Sequence, residues 1–191
     1  MTPTELLAAL HAAEKLKDTT RHCYTSGGRH ESVAEHSWRI ALMAFFLRYA
    51  FPEADMDKVA RMCLIHDLGE CFTGDIPAFD KTAQDESREE QLLDRWVSSL
   101  PSPCREEMRM LYSEMAALKT QEAKIYKALD KLEAVISHNE SDISTWEDHE
   151  YDLQLTYGEQ NVAFSPYLSE LRQAIRQETL DKIAREGDRR K

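Results

Sequence analysis

The chain has 191 residues, a length at which one core burying about 70% of the unfolded surface is the default. Thirty-five Asp and Glu against 24 Lys and Arg leave a net charge of -11, which disfavours a nucleic-acid backbone or an anionic membrane surface as partner. Hydrophobic residues reach 42%, more than a disordered chain carries, and 20 Leu with 20 Ala against 13 Val plus Ile, with only 6 Gly and 6 Pro, favour helix over strand.

The expected fold class is all-α, a compact bundle of six or seven helices forming one domain over residues 1–191. The first helix is expected from Thr4 to Lys17, with Leu6, Leu7, Leu10, Ala13 and Leu16 on one stripe. Thr19 to Glu31, carrying Gly27 and Gly28, reads as a loop. Ser32 with Glu35 makes a capping box for a second, strongly apolar helix that runs through Ile40, Met43, Ala44 and Leu47 toward Phe51-Pro52. Asp55 starts a third helix, whose pattern reaches His66-Asp67-Leu68-Gly69-Glu70 before Thr73-Gly74-Asp75-Ile76-Pro77 breaks it. Gln84–Leu100 and Pro103–Leu118 read as surface helices, the acidic run Asp85 to Glu90 as a solvated face. Thr120–Asn139 carries Ile125, Leu129, Leu132 and Ile136 at helical spacing with Asp130 beside them, and Pro166–Arg185 closes the chain.

Cys23, Cys63, Cys71 and Cys104 form no C-x-x-C pair and read as reduced thiols. Neither a basic leader with an apolar run nor a membrane-length apolar segment is evident, so a cytoplasmic location is expected.

The residues able to carry chemistry are His36, His66, Asp67, Glu70, Asp75 and Asp130. Two imidazoles and two carboxylates from neighbouring helices suit a divalent transition metal, whereas each residue alone is more ordinarily a satisfied core or capping group. An adjacent His-Asp at the end of an apolar helix is costly to bury unless a positive charge compensates it. Glu70, four residues after His66, projects to the same side.

These residues, in order and spacing, resemble the HD-domain phosphohydrolase superfamily and, within it, the 5'-deoxynucleotidase branch. The resemblance rests on Arg21, Glu31-Ser32-Val33-Ala34-Glu35-His36, His66-Asp67-Leu68-Gly69-Glu70, Thr73-Gly74-Asp75-Ile76-Pro77 and Leu129-Asp130-Lys131-Leu132-Glu133. It covers about residues 6–138, with the C-terminal helices completing the domain. What it implies is a metal-dependent phosphomonoesterase that converts nucleoside 5'-monophosphates, deoxyribonucleotides first, to nucleoside and phosphate. By the same resemblance His36, His66, Asp67 and Asp130 are the metal ligands, Glu70 and Asp75 the catalytic carboxylates, and Arg21, His22 and Asp75 to Ala78 (through Ile76 and Pro77) the substrate contacts. The ion is expected to be Mn, Co or Mg, ahead of Fe, Ni or Zn, and a homodimer is a family expectation, with Trp96 and Trp146 as candidate partner contacts.

Two features refine the resemblance. The branch places Trp after the arginine, where this chain has His22, which relaxes the expected preference for deoxyribose. No histidine lies between Asp67 and Asp130. That speaks against a dinuclear HD oxygenase or phosphodiesterase and leaves a second ion only Glu70 and Asp75. The remaining alternative is an HD-fold metal-binding module without turnover, which would have no need of those two carboxylates. Base preference is not legible at this level.

Overall fold

The computed structural model describes residues 1–77 and 79–186. Seven helices of ten residues or more lie within them: α1 (Pro3–Ala13), α2 (Val33–Leu47), α3 (Met56–Ile65), then α5 (Ala83–Ser99), α6 (Cys104–Ala117), α7 (Gln121–Glu140) and α10 (Pro166–Glu186). Three shorter pieces, α4 (Glu70–Thr73), α8 (Glu150–Thr156) and α9 (Glu159–Val162), fall below the length at which periodicity is readable.

The helix starts follow local chemistry. Thr2 and Glu5, Ser32 and Glu35, and Thr82 and Asp85 form reciprocal capping boxes, while Asp55 and Thr120 each accept a backbone N–H three residues on.

Three expectations need correction. Residues 19–31 are not a plain loop: β1 (Thr20–Tyr24) pairs antiparallel with β2 (His30–Ser32), and Gly28 at φ +81° turns the ribbon. The polar string Thr-Arg-His-Cys-Tyr conceals the strand, since Cys23 alone supplies its buried apolar contact. The third helix ends at Ile65 rather than running on to Glu70. The N–H groups of Leu68, Glu70 and Cys71 bond the carbonyls three residues back, so His66–Gly69 is a tight turn whose entry is fixed by the Tyr112 hydroxyl donating to the Ile65 carbonyl at 2.6 Å. Trp146 is buried, donating to the His138 carbonyl, and Trp96 is half-buried against Phe72, so neither is an exposed partner contact.

The core centres on α7, whose Ala123, Ile125, Tyr126, Ala128, Leu129, Leu132 and Val135 are buried against α2, α3, α6, α9 and α10. Ile40 and Ala44 of α2, Val59, Met62 and Cys63 of α3, and Leu168 and Ile175 of α10 complete it. Buried Arg172 ties the C-terminal layer together by donating to the Tyr157 and Gln154 carbonyls at 2.9 and 2.8 Å. By contrast, no residue of α1 is buried, and its leucine stripe faces solvent. None of the described helices is long and apolar enough to cross a membrane.

Leu129→Ala is therefore expected to cost about 2–5 kcal/mol in urea unfolding, the range for an enclosed leucine, while Leu7→Ala on the exposed stripe shifts stability by no more than about 0.5 kcal/mol.

Candidate functional site

A cavity of about 520 Å³ opens beside α7, bordered by β1, the His66–Gly69 turn, the Asp75–Pro77 segment and α8. Its lining is dense in charge: Arg21, Lys81, Lys127 and Lys131 against Asp67, Glu70, Asp75, Glu86, Asp130 and Glu150. The volume suits a small organic ligand.

At the floor, the first turn of α2 carries His36, the turn after α3 carries His66 and Asp67, and the middle of α7 carries Asp130. His36 Nε2 lies 3.4 Å from Asp130 Oδ1 and 3.8 Å from Asp67 Oδ2, while His66 Nε2 lies 2.9 Å from Asp67 Oδ2 and 3.9 Å from Asp130 Oδ1. One donor atom each from His36, His66 and Asp67 fits within a 4.8 Å cluster.

The tautomers follow from the partners on the other ring nitrogen. His66 Nδ1 faces the Cys63 carbonyl at 2.9 Å, and a carbonyl only accepts, so Nδ1 carries hydrogen and Nε2 of the neutral ring is a bare lone pair. His36 Nδ1 meets buried Glu133 at 2.5 Å, which likewise directs Nε2 at the carboxylates. A carboxylate behind the ligating imidazole fixes its orientation and raises its basicity.

Among the described residues, His66 Nε2 and Glu70 Oε2 are buried without a hydrogen-bond partner, the former because Asp67 lies off the line of a bond. Burial with the neighbouring charges of Asp67, Asp75 and Glu89 pushes the Glu70 carboxyl up to about 10. Burial likewise raises Asp75, with Arg21 opposing. Against burial, His66 and His36 hold Asp67 down at about 2, and Lys127 and Lys131 hold Asp130 far below the usual range. Two imidazoles whose Nε2 atoms face inward, two ionised carboxylates and an orphaned third carboxyl form a donor set that a divalent cation would satisfy.

Beside this floor Arg21 is clamped. Its Nη1 donates to Glu31 at 2.7 Å and to Glu133 at 3.2 Å, leaving the rest of the guanidinium without a bond from any described residue. Lys127 Nζ sits 2.9 Å and Lys131 Nζ 3.4 Å from Asp130. Asp75, Ile76 and Pro77 line the cavity, following Gly74 at φ +79°. Ala78 lies outside the described residues. His22 lines the opposite wall, its ring edge-on to Phe79 at 5.6 Å.

Sequence reasoning gave no role to Glu133, Glu31, Lys81, Lys127 or Lys131. Glu133 had a readable signal, since a carboxylate three residues after Asp130 falls within the apolar stripe of α7. Glu89 departs from the solvated reading of its run: Lys81 Nζ donates to it at 2.7 Å, and it packs so close to Gly69 that a Cβ there would stand 2.7 Å from Glu89 Cγ.

A family profile for the HD domain matches residues 13–172. The human 5'-deoxynucleotidase HDDC2 is 32% identical over 139 residues, 71% of this chain and 67% of its own length. A structure from Magnetospirillum magnetotacticum, described as a "Predicted metal-dependent phosphohydrolase", superposes with a TM-score of 0.78 at 31% identity, covering 94% of this chain and 95% of that one. The cyanophage S-2L HD phosphohydrolase, solved with dA and one catalytic Zn2+ ion, shares the fold, with a TM-score of 0.58 at 21% identity over 92% of this chain and 94% of its own.

Because Glu133 backs His36 and anchors Arg21 together, Glu133→Gln is expected to weaken ion binding about 10- to 100-fold in equilibrium dialysis, the usual effect of removing a carboxylate behind a ligating histidine. Unchanged affinity would show that His36 keeps its orientation without it.

Proposed function

The chain belongs to the HD-domain family, and from that premise and the charged cavity we propose that it hydrolyses nucleoside 5'-monophosphates, deoxyribonucleotides among them, to nucleoside and phosphate. It is a metal-dependent phosphohydrolase of nucleotides. The observation that carries the finer reading is the pairing, in one cavity, of an unsatisfied His/Asp cluster with cationic groups that have donors to spare.

His36, His66, Asp67 and Asp130 hold the divalent ion. Carboxylates beside imidazoles point to Mn2+, Co2+ or Mg2+ ahead of Fe2+, Ni2+ or Zn2+, and Glu70 with Asp75 offers oxygens for a second ion. When bound, the ion polarises a phosphoryl oxygen and makes water a nucleophile at neutral pH.

The chain's own groups do the rest. Arg21 turns its unclamped guanidinium donors to the phosphoryl oxygens, and Lys127 and Lys131 add positive charge on the same side. Glu70, buried with Oε2 unbonded, orients the attacking water. Asp75, carried past Gly74 into the cavity and raised by burial above the usual carboxylate range, is the group placed to assist proton transfer to the leaving O5'. Ile76 and Pro77 wall the sugar and base, with His22 facing them. Outside the cavity, Trp38, Phe45, Phe46 and Tyr49 lie exposed along one side of α2 and its end, and this face supports a homodimer.

Phosphate release from a panel of ribo- and deoxyribonucleoside monophosphates, with Mn2+ or Co2+ added, tests the reading. Activity is expected to disappear on chelation and return with the ion, and a chelator-treated enzyme at full rate contradicts it. Asp67→Ala is expected to remove the ion and turnover together. Glu70→Gln is expected to keep the ion and lower kcat by about 10² to 10⁴, the range for a positioned acid-base group; loss of the ion instead makes Glu70 a ligand. A chain that binds metal yet releases no phosphate from any substrate is the non-catalytic module.

A further inference from the structure

A second cluster of ligand-type atoms stands on the far wall of the cavity. His22 of β1, His138 near the end of α7 and Glu150 at the start of α8 converge, with one donor atom from each within 4.8 Å of the others. Glu150 Oε1 lies 3.1 Å from His22 Nε2 and 2.8 Å from His138 Nε2. Donors at tetrahedral positions around zinc stand about 3.3 Å apart, given bonds of about 2.0–2.1 Å, so only small adjustments are needed to admit an ion.

The hydrogen bonds show why a cation belongs here. His138 Nδ1 faces the Ala134 carbonyl at 2.8 Å, which only accepts, so Nδ1 carries hydrogen and Nε2 of the neutral ring is a lone pair. That lone pair points at a carboxylate oxygen. Glu150 is buried, with 1% of its surface exposed, and its other oxygen already accepts the Glu147 N–H at 2.7 Å. Two lone pairs cannot face each other at 2.8 Å unless a positive species lies between them, a proton or a metal ion. His22 adds a further Nε2 to the same oxygen, and its Nδ1 is bonded by no described residue. The His138 ring is held edge-on by Trp146, whose Nε1 donates to the His138 carbonyl. These are the marks of the floor cluster: an imidazole backed on Nδ1, a buried carboxylate and a second histidine.

We propose that His22, His138 and Glu150 form a second metal site that takes one Zn2+ ion independently of the floor centre. Two imidazoles and one carboxylate, with a coordination position left over, are a set suited to zinc. His138 lies eight residues beyond Asp130 on α7, about 12 Å along the axis, so the two sites do not share ligands. All three residues border the cavity, which lets the leftover position meet an oxygen or nitrogen of whatever the cavity holds.

The test counts ions. The full chain is stripped with chelator, dialysed against Zn2+ alone and analysed for bound zinc, beside Asp67→Ala, His22→Ala and His138→Gln, each checked by its circular-dichroism melt. About two ions are expected in the parent, and about one in each variant, since each retains one intact ligand set. The double variant Asp67→Ala with His22→Ala is expected to bind none. Co2+ loaded into Asp67→Ala is expected to give the visible absorption of a low-coordinate site, absent when His22 is also replaced. One ion in the parent with none in Asp67→Ala overturns the proposal and leaves the trio an imidazolium–carboxylate pair. Two ions retained in folded His22→Ala and His138→Gln overturn it as well. Because the count needs no turnover, it stands apart from the success or failure of the nucleotidase reading.

Discussion

Glu133 is the constraint on which the site depends. Its carboxylate has no exposed surface, yet it faces His36 Nδ1, Arg21 Nη1 and the Ser137 hydroxyl, three groups from α2, β1 and α7 itself. Although burial opposes ionisation, the bond from His36 and the charges of His36 and Arg21 hold the acid at about 2. An ionised group at that depth is tolerable only when its acceptor positions are filled. Filling them fixes a metal-facing imidazole and a cavity-facing guanidinium to a single point on the most buried helix. The two chemistries of the site, donor atoms for a cation and donors for an anion, are therefore mutually positioned by one side chain.

What sequence could show follows from how far each signal is local. The seven long helices and the Ser32–Glu35 cap were legible because a capping box and a 3.6-residue stripe need only neighbours, whereas the Thr82–Asp85 box went unread inside an acidic run. The convergence of His36, His66, Asp67 and Asp130 was legible only through resemblance, since spacing cannot say which faces of α2, α3 and α7 meet. The ribbon of β1 and β2 escaped because its stability lies in pairing rather than in an apolar pattern. The turn at His66–Gly69 escaped for the opposite reason: its residues keep helical dihedrals, so the pattern runs on while the hydrogen bonds tighten to three residues. Tightening matters chemically. At the turn Asp67 lies 3.8 Å from His36 and Glu89 closes over Gly69, a contact that a side chain at 69 would obstruct.

Charge in the cavity is arranged as alternating pairs rather than opposed halves. Lys127 and Lys131 flank Asp130, Lys81 meets Glu89, and Arg21 meets Glu31 and Glu133. Each cation therefore keeps its position in an otherwise acidic protein without a bound anion. The same pairing limits attraction for phosphate alone, because every positive group already has a partner. A cation held on the floor by Asp67 and Asp130 would change that balance and leave part of the lysine charge for a phosphoryl group. Metal and anion binding would then reinforce each other through shared carboxylates, a coupling of ordinary electrostatic origin.

The histidines on α7 and after α3 share a device. His66 is backed by the carbonyl three residues earlier and His138 by the carbonyl four residues earlier, so the helix's own backbone fixes which nitrogen is bare. At the end of α3 the Cys63 carbonyl lies in the last turn, where carbonyls lack helical N–H partners, which makes the position after it a natural place for a metal ligand. His36, in the first turn of α2, has no such carbonyl behind it and needs Glu133 instead. Ligand strength should differ accordingly, since a carboxylate raises imidazole basicity more than a neutral carbonyl does. The chain thus places its most strongly supported histidine at the most buried corner of the floor, where no water can compensate a misdirected lone pair, and leaves backbone-supported ones at the turn and the rim.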